Sequence, residues 1–304
     1  MVLARHEGPE LRTGGQAASS RAGADDGHTV GDALEGAVTA IAAAGCATPR
    51  LDAELLLAAV LGVGRERLLT DRDLRVEGPA VRAFQDAIRR RAIEREPVAY
   101  ILGHRGFRRL ELDVDARVLV PRPETELLVE CALELPAGAR VLEVGTGSGA
   151  VALALKDERP DLEITASELN EPALEVARAN GRRLELDVAW LYADLLDGVP
   201  DAFDALIANL PYVAESERSE LAPEILRHEP SAALFAGHDG LATIRALLAQ
   251  LTALARVGFV ALEVGAGQAA AVAELIRDAG FRAVRRERDL AGIERVVVGE
   301  HRGR

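Results

Sequence analysis

Apolar positions along this chain change their period twice, and each change predicts a different kind of element. Val30, Leu34, Val38 and Ile41 recur at helical spacing and Gly45 follows as a stop, which predicts a first helix. A second is expected from Pro49, whose missing N–H costs nothing in a first helical turn, with Leu51, Leu55, Leu56 and Ala59 on its apolar face. A third follows Gly78-Pro79 and carries Val81, Phe84, Ile88 and Ala92. Three short amphipathic helices predict a small bundle, and since nothing in it bears catalytic chemistry we read it as a partner-docking unit. The segment 97–103, Pro97-Val98-Ala99-Tyr100-Ile101-Leu102-Gly103, breaks the helical period. Leu110, Leu112 and Val114 then alternate with charged residues, predicting a hairpin over 107–120. Pro121-Arg122-Pro123-Glu124-Thr125-Glu126 reads as a stiff linker, with Glu124 and Glu126 suited to the positive end of the following helix.

From Ala139 onward strands and helices alternate, the signature of a parallel, doubly wound α/β sheet. Strands are expected at 140–144, 162–166, 188–193, 203–208, 259–264, 281–285 and 295–298, seven in one domain. Helices are expected from Val151, from a cap at Asn170 to a stop near Asn180-Gly181, and from Leu241 to Ala255. The chain therefore divides into a disordered tail (1–28), a helical docking domain (29–96), a hairpin and linker (97–126) and an α/β domain (127–300).

Composition narrows the function classes. Apolar residues make up 49% of the 304 and charged ones 28%, a globular balance. A net charge of −13 disfavours coating nucleic acid directly. Cys46 and Cys131 are far apart and the six histidines are scattered, so no metal site is expected and a reducing compartment is. No apolar run reaches the ~20 residues that span a bilayer, and the tail lacks the apolar stretch of a signal peptide, so we expect a cytoplasmic protein without membrane contact. Against the acidic whole, residues 89–109 hold seven arginines and two glutamates. That run is either a solvated helix face with a hairpin or a docking patch for an acidic partner.

Two stretches carry candidate chemistry. Gly145-Thr146-Gly147-Ser148-Gly149, between a strand and a helix, lets backbone approach a ligand closely. Its G-x-G-x-G spacing departs from the G-x-G-x-x-G of a pyrophosphate cradle. Glu168, one strand on, sits where a carboxylate could hold two ribose hydroxyls, and Asp194 where it could neighbour an adenine amino group. All lie at strand carboxyl ends, where open α/β sheets bind ligands. The second stretch is Asn209-Leu210-Pro211-Tyr212, after the apolar run 203–208. The Asn209 Oδ1 and the carbonyl of Leu210, aimed by Pro211, can accept the two hydrogens of a planar NH2 group while Tyr212 packs on its face. The alternative is a strand end closed by a proline turn with a half-buried tyrosine. A near-copy of the glycine turn, Glu263-Val264-Gly265-Ala266-Gly267-Gln268, has no acidic strand end after it and is read as a tight turn.

Through the segments 97–103 and 121–126, the glycine turn, Asn209 to Tyr212, His228-Glu229-Pro230 and Gly237-His238-Asp239-Gly240-Leu241, the chain resembles the bacterial peptide chain release factor glutamine methyltransferases over roughly 30–300. The resemblance implies a seven-stranded Rossmann-like methyltransferase sheet using S-adenosylmethionine. It places that cofactor against Gly145 to Gly149, Glu168, Asp194, Leu195 and Asn209. It implies release factors as partners of a monomeric enzyme, with the glutamine of their Gly-Gly-Gln motif held by Asn209, Leu210, Pro211 and Tyr212 and bordered by Pro121, Arg122, Pro123 and Glu124. One residue departs from the family pattern: Leu210 stands where it has a first proline. Asn-Leu-Pro-Tyr also resembles the motif of adenine-amino methyltransferases acting on RNA or DNA, which leaves that reaction as the alternative. An inert adaptor binding a release factor through its helices is a third reading, against which the intact clamp and glycine turn argue. Gly14-Gly15-Gln16 in the tail copies the substrate motif, as chance allows in a Gly- and Ala-rich segment; methylation of its own Gln16 is a testable outlier.

Overall fold

A computed structural model describes residues 28–200, 203–252 and 257–301. The tail up to residue 27, with Gly14-Gly15-Gln16, lies outside the described residues. In the N-terminal unit a two-residue strand, β1 (His28–Thr29), pairs with β2 (Arg75–Val76) around four helices, α1 (Val30–Ala43), α2 (Pro49–Leu61), α3 (Arg65–Thr70) and α4 (Pro79–Arg89). Thr29 opens α1 with a capping box: its hydroxyl accepts from the Asp32 N–H at 3.1 Å and its own N–H donates to the Asp32 carboxylate. Leu34, Ile41, Leu56, Leu57, Leu68 and Phe84 fill the core. At six residues α3 is too short to show a period, and the sequence reading misses it.

Two expectations fail here for one reason. On α2 the buried face is Asp52, Ala53, Glu54, Leu56, Leu57 and Ala58, while Leu51 and Ala59 are exposed. The helix is turned because its acids are paired: Asp52 with Arg91 at 2.7 Å, Glu54 with Arg50 and Arg65. The arginine run is engaged in the same way. Arg90 pairs with Glu96, Arg91 with Asp52 and Glu224, Arg95 with Glu224, Arg108 with Glu130 and Glu158, and Arg109 with Asp157. Most of the run is thus neither a solvated face nor a docking patch but an internal set of ion pairs.

A π-helical turn (90–94) ends α4, and the segment expected only to break the helix forms α5 (Val98–Leu102). The hairpin β3 (His104–Phe107) and β4 (Leu110–Asp113) turns at Arg108-Arg109, so it starts earlier than the alternation suggests. The linker forms a 3-10 turn, Pro123–Thr125, leading into α6 (Glu126–Ala132).

The α/β domain then runs β5 (Arg140–Val144), α7 (Ala150–Glu158), β6 (Glu163–Glu168), α8 (Glu171–Leu184), β7 (Ala189–Tyr192), β8 (Ala205–Ala208), α9 (Pro223–His228), α10 (Ala242–Leu251), β9 (Phe259–Glu263), α11 (Ala269–Asp278), β10 (Ala283–Arg288) and β11 (Glu294–Glu300). Seven strands form one sheet in the order β10-β11-β9-β8-β5-β6-β7. The five strands β7-β6-β5-β8-β9 are parallel, and β11 and β10 close the edge antiparallel. Alternate residues serve opposite faces: Val141 packs with α6 and α7, Leu142 with α10 and α11. Asn180 and Gly181 do not stop α8 but lie inside it. The Asn180 amide is fully buried and accepts from the Asp113 N–H at 2.8 Å while donating to the Asp113 and Ser148 carbonyls, and a Cβ on Gly181 would stand 3.0 Å from Trp190. The pair is there for contact, not termination. Among the described residues no helix is long and apolar enough to cross a membrane.

Candidate active site

Sheet register sets the site. Val144 of β5 lies beside Ser167 of β6 and Ala208 of β8, Ala208 lies beside Leu262 of β9, and Glu168 lies beside Tyr192 of β7. The glycine turn, Glu168, the 193–195 corner, Asn209 and Glu263 therefore leave the sheet along one edge. Strand order reverses between β5 and β8, so Gly145 and Asn209 flank the switch point where such sheets open a crevice.

A cavity of about 750 Å³ fills that crevice, a volume suited to a nucleoside-sized ligand. Gly145, Thr146, Gly147, Ser148, Glu168, Asp194, Leu195, Asn209, Leu210, Pro211, Pro121 and Arg122 line it. Gly149, Tyr212, Pro123 and Glu124, named with them from the sequence, do not. Gly149 packs inward, where a Cβ would meet Leu153, Trp190 and Ala177 within 3.3 Å. Pro123 and Glu124 belong to the 3-10 turn, and Tyr212 faces β9.

The turn is held by its neighbours. The N–H groups of Gly145 and Thr146 donate to the Ser167 carbonyl at 2.9 and 3.0 Å. Gly147, at φ 57°, has no atom within 4 Å of where a Cβ would stand, so its backbone is open to the cavity. Its N–H donates to Glu168 Oε2 at 2.9 Å and the Asn170 N–H donates to Oε1 at 3.0 Å. Each carboxylate oxygen keeps a further lone pair for a ligand hydroxyl. An open backbone, an acid with spare acceptors and the half-buried Leu195 fit the adenosyl part of S-adenosylmethionine.

Beneath the turn, Glu143 is 2% exposed. Its Oε2 accepts from Thr146 Oγ1 at 2.6 Å and from the Ala152 N–H at 3.0 Å. Burial outweighs those bonds and pushes its pKa up to about 8. Across the cavity Asn209 Nδ2 donates to Thr125 Oγ1 at 3.1 Å, and among the described residues no group donates to its Oδ1, which can accept. Leu210 is buried with its Cδ2 only 3.1 Å from the Cβ position of Gly145, so the residue in place of the family's proline packs under the glycine turn. Arg122 pairs with Glu229 at 2.6 Å, tying the linker to the loop beyond the Asn209 motif. Glu143, Thr125 and Glu263 stand inside stretches that the sequence singles out, but none of the three was given a role at the site. Only a glutamate inside an otherwise apolar strand signals the first and last.

Fold and site together define an α/β enzyme with a nucleoside-sized crevice at the switch point of its parallel strands. Residues 122–239 match the Methyltransferase small domain and 32–103 the PrmC N-terminal domain. The Release factor glutamine methyltransferase of Rhodospirillum rubrum is 40% identical over 264 residues, covering 85% of this chain and 81% of the relative. That of Deinococcus radiodurans is 40% identical over 276 residues, covering 90% and 98%. A solved structure of the hMettl16 catalytic domain in complex with MAT2A 3'UTR hairpin 1 shares the fold at a TM-score of 0.53 and 16% identity, covering 76% of this chain and 84% of the other. The chain belongs to the release factor glutamine methyltransferase family.

Proposed function

We propose that this enzyme transfers the methyl group of S-adenosylmethionine to the side-chain nitrogen of the glutamine in the Gly-Gly-Gln motif of a peptide chain release factor, in the cytoplasm. The observation that carries the reading is the held amide of Asn209, its Nδ2 donating to Thr125 and its Oδ1 left to the cavity that the glycine turn also lines.

When bound, S-adenosylmethionine supplies an electrophilic methyl on a sulfonium. The protein's task is to make a poor nucleophile attack it. An amide nitrogen is unreactive because its lone pair is delocalised into the carbonyl. Asn209 Oδ1 and the carbonyl of Leu210 each accept one of the glutamine N–H bonds, which favours pyramidal nitrogen and fixes it in line. The same oxygens stabilise the positive charge that develops on nitrogen, and no base is needed until the product sheds its proton. Gly145 to Ser148 and Glu168 hold the cofactor, while Arg122 and the helical domain receive the release factor. A methyl-transfer assay offering release factor, a Gln→Ala release factor and ribosomal RNA side by side tests this. Label is expected on the intact release factor alone; label on the RNA would establish the adenine-amino reaction instead.

A further inference from the structure

The second glycine turn, which the reaction above leaves without a task, is tied to the proposed clamp by one side chain. Gln268 Nε2 donates to the Tyr212 carbonyl at 2.9 Å and to the Asp239 carbonyl at 3.4 Å, while its Oε1 accepts from the Gly265 N–H at 2.9 Å. A turned amide would set its oxygen against two carbonyls, so the orientation is fixed. Among the described residues no other group donates to the Tyr212 carbonyl. Gly240, at φ 74°, closes over that carbonyl, and a Cβ there would overlap it. The chain beyond is held as well: the Val213 N–H donates to the Leu234 carbonyl and the Glu215 N–H to the Gly237 carbonyl, each at 2.9 Å. The segment Gly237 to Leu241 and the second turn thus grip the chain where it leaves Asn209-Leu210-Pro211-Tyr212.

Two acceptors hold an NH2 group only if neither turns. Asn209 follows β8, which pairs with β5 and β9 on either side, and its amide is bonded to Thr125. The other acceptor, the Leu210 carbonyl, belongs to the peptide bond to Pro211. Proline has no N–H, so the backbone cannot be anchored by a donor at 211. The bond that holds the loop just beyond is the one from Gln268 to the Tyr212 carbonyl. With φ of Pro211 locked by its ring, few rotations separate that bond from the Leu210 carbonyl, so holding one sets the other. Where the family has a first proline, Leu210 has a free φ, and one more rotation must be held from outside the residue. We propose that Gln268 is a positioning residue that, by holding the Tyr212 carbonyl, fixes the direction of the Leu210 carbonyl and with it the geometry of the clamp.

This role in catalysis rests on the proposed reaction, and the test separates the two. At neutral pH Gln268→Glu keeps an acceptor for the Gly265 N–H but sets an ionised oxygen against the two carbonyls, whereas Gln268→Met removes donor and acceptor together. In full-length protein labelled with 13C at leucine carbonyls and 15N at proline, two Leu-Pro peptides give signals, 135–136 and 210–211. The second is identified by its loss in Pro211→Ala. It is expected to move in both Gln268 variants while the first stays in place. With release factor as substrate, kcat should fall about 10–100-fold in both variants, while KM and the calorimetric affinity for S-adenosylmethionine stay within about threefold. A loss of stability alone would not divide in that way. A 210–211 signal unmoved in either variant, or a kcat unchanged in a folded Gln268→Glu, overturns the proposal. Cofactor binding without transfer to any release factor overturns the proposed function alone, since the carbonyl signal still decides the role of Gln268.

Discussion

At the scale of single residues, the site depends on which oxygens are free and which acids are charged. Asn209→Ala removes one acceptor of the proposed clamp, and loss of a comparable preorganised group costs about 10²–10³ in rate. Transfer should fall by that factor while calorimetry finds S-adenosylmethionine affinity within a few-fold; equal loss of both would make Asn209 a cofactor residue only. Glu143 makes a prediction about stability. Its folded pKa, about 8, lies above the ordinary 4.5, so the native state keeps the proton longer than the unfolded chain. The contribution is full below 4.5 and is lost as pH rises through about 8. Denaturant melts should show unmodified protein losing more stability than Glu143→Gln between pH 5 and 8, and parallel profiles would refute the raised pKa.

At the scale of elements, apolar strands and glycine turns were legible in the sequence because burial on both faces leaves no ambiguity of period. β5, β8 and β9 fall within two residues of their expected limits, and the glycine turn and Asn209 meet at the edge that their order demands. What escaped depends on partners distant in the chain. Asp52 and Glu54 look like surface residues until Arg91 and Arg65 arrive, and Asn180-Gly181 looks like a helix stop until Asp113 and Trp190 fill the space around it. The hydrogen bond from Asn209 to Thr125 was invisible for the same reason, since the two come from separate segments. Asn180 offers a test at this scale. Asn180→Ala leaves the Asp113 N–H and the Ser148 carbonyl without their side-chain partner under the hairpin, and should cost about 2–3 kcal/mol in denaturant unfolding. Amide exchange should quicken at Asp113; a loss below about 0.5 kcal/mol would mean that water replaces the side chain.

At the scale of the whole molecule, the two folded units are joined by charge. Glu224 on α9 receives Arg91 and Arg95 from the helical unit, and His228 at the end of α9 meets the Glu94 carbonyl at 2.8 Å. Glu224→Ala strands Arg95 and should cost about 3 kcal/mol, with little relief from added salt because the pairs are poorly accessible. Calorimetry on the full chain would show it as a lowered unfolding temperature, and an unchanged one would make the contact ornamental. The join has a practical meaning. Because α9 lies in the loop between Tyr212 and the Pro230–Phe235 wall of the cavity, the N-terminal bundle is no detachable handle. Grafting it onto another catalytic half would keep the bundle seated only if the acid that anchors it travelled too.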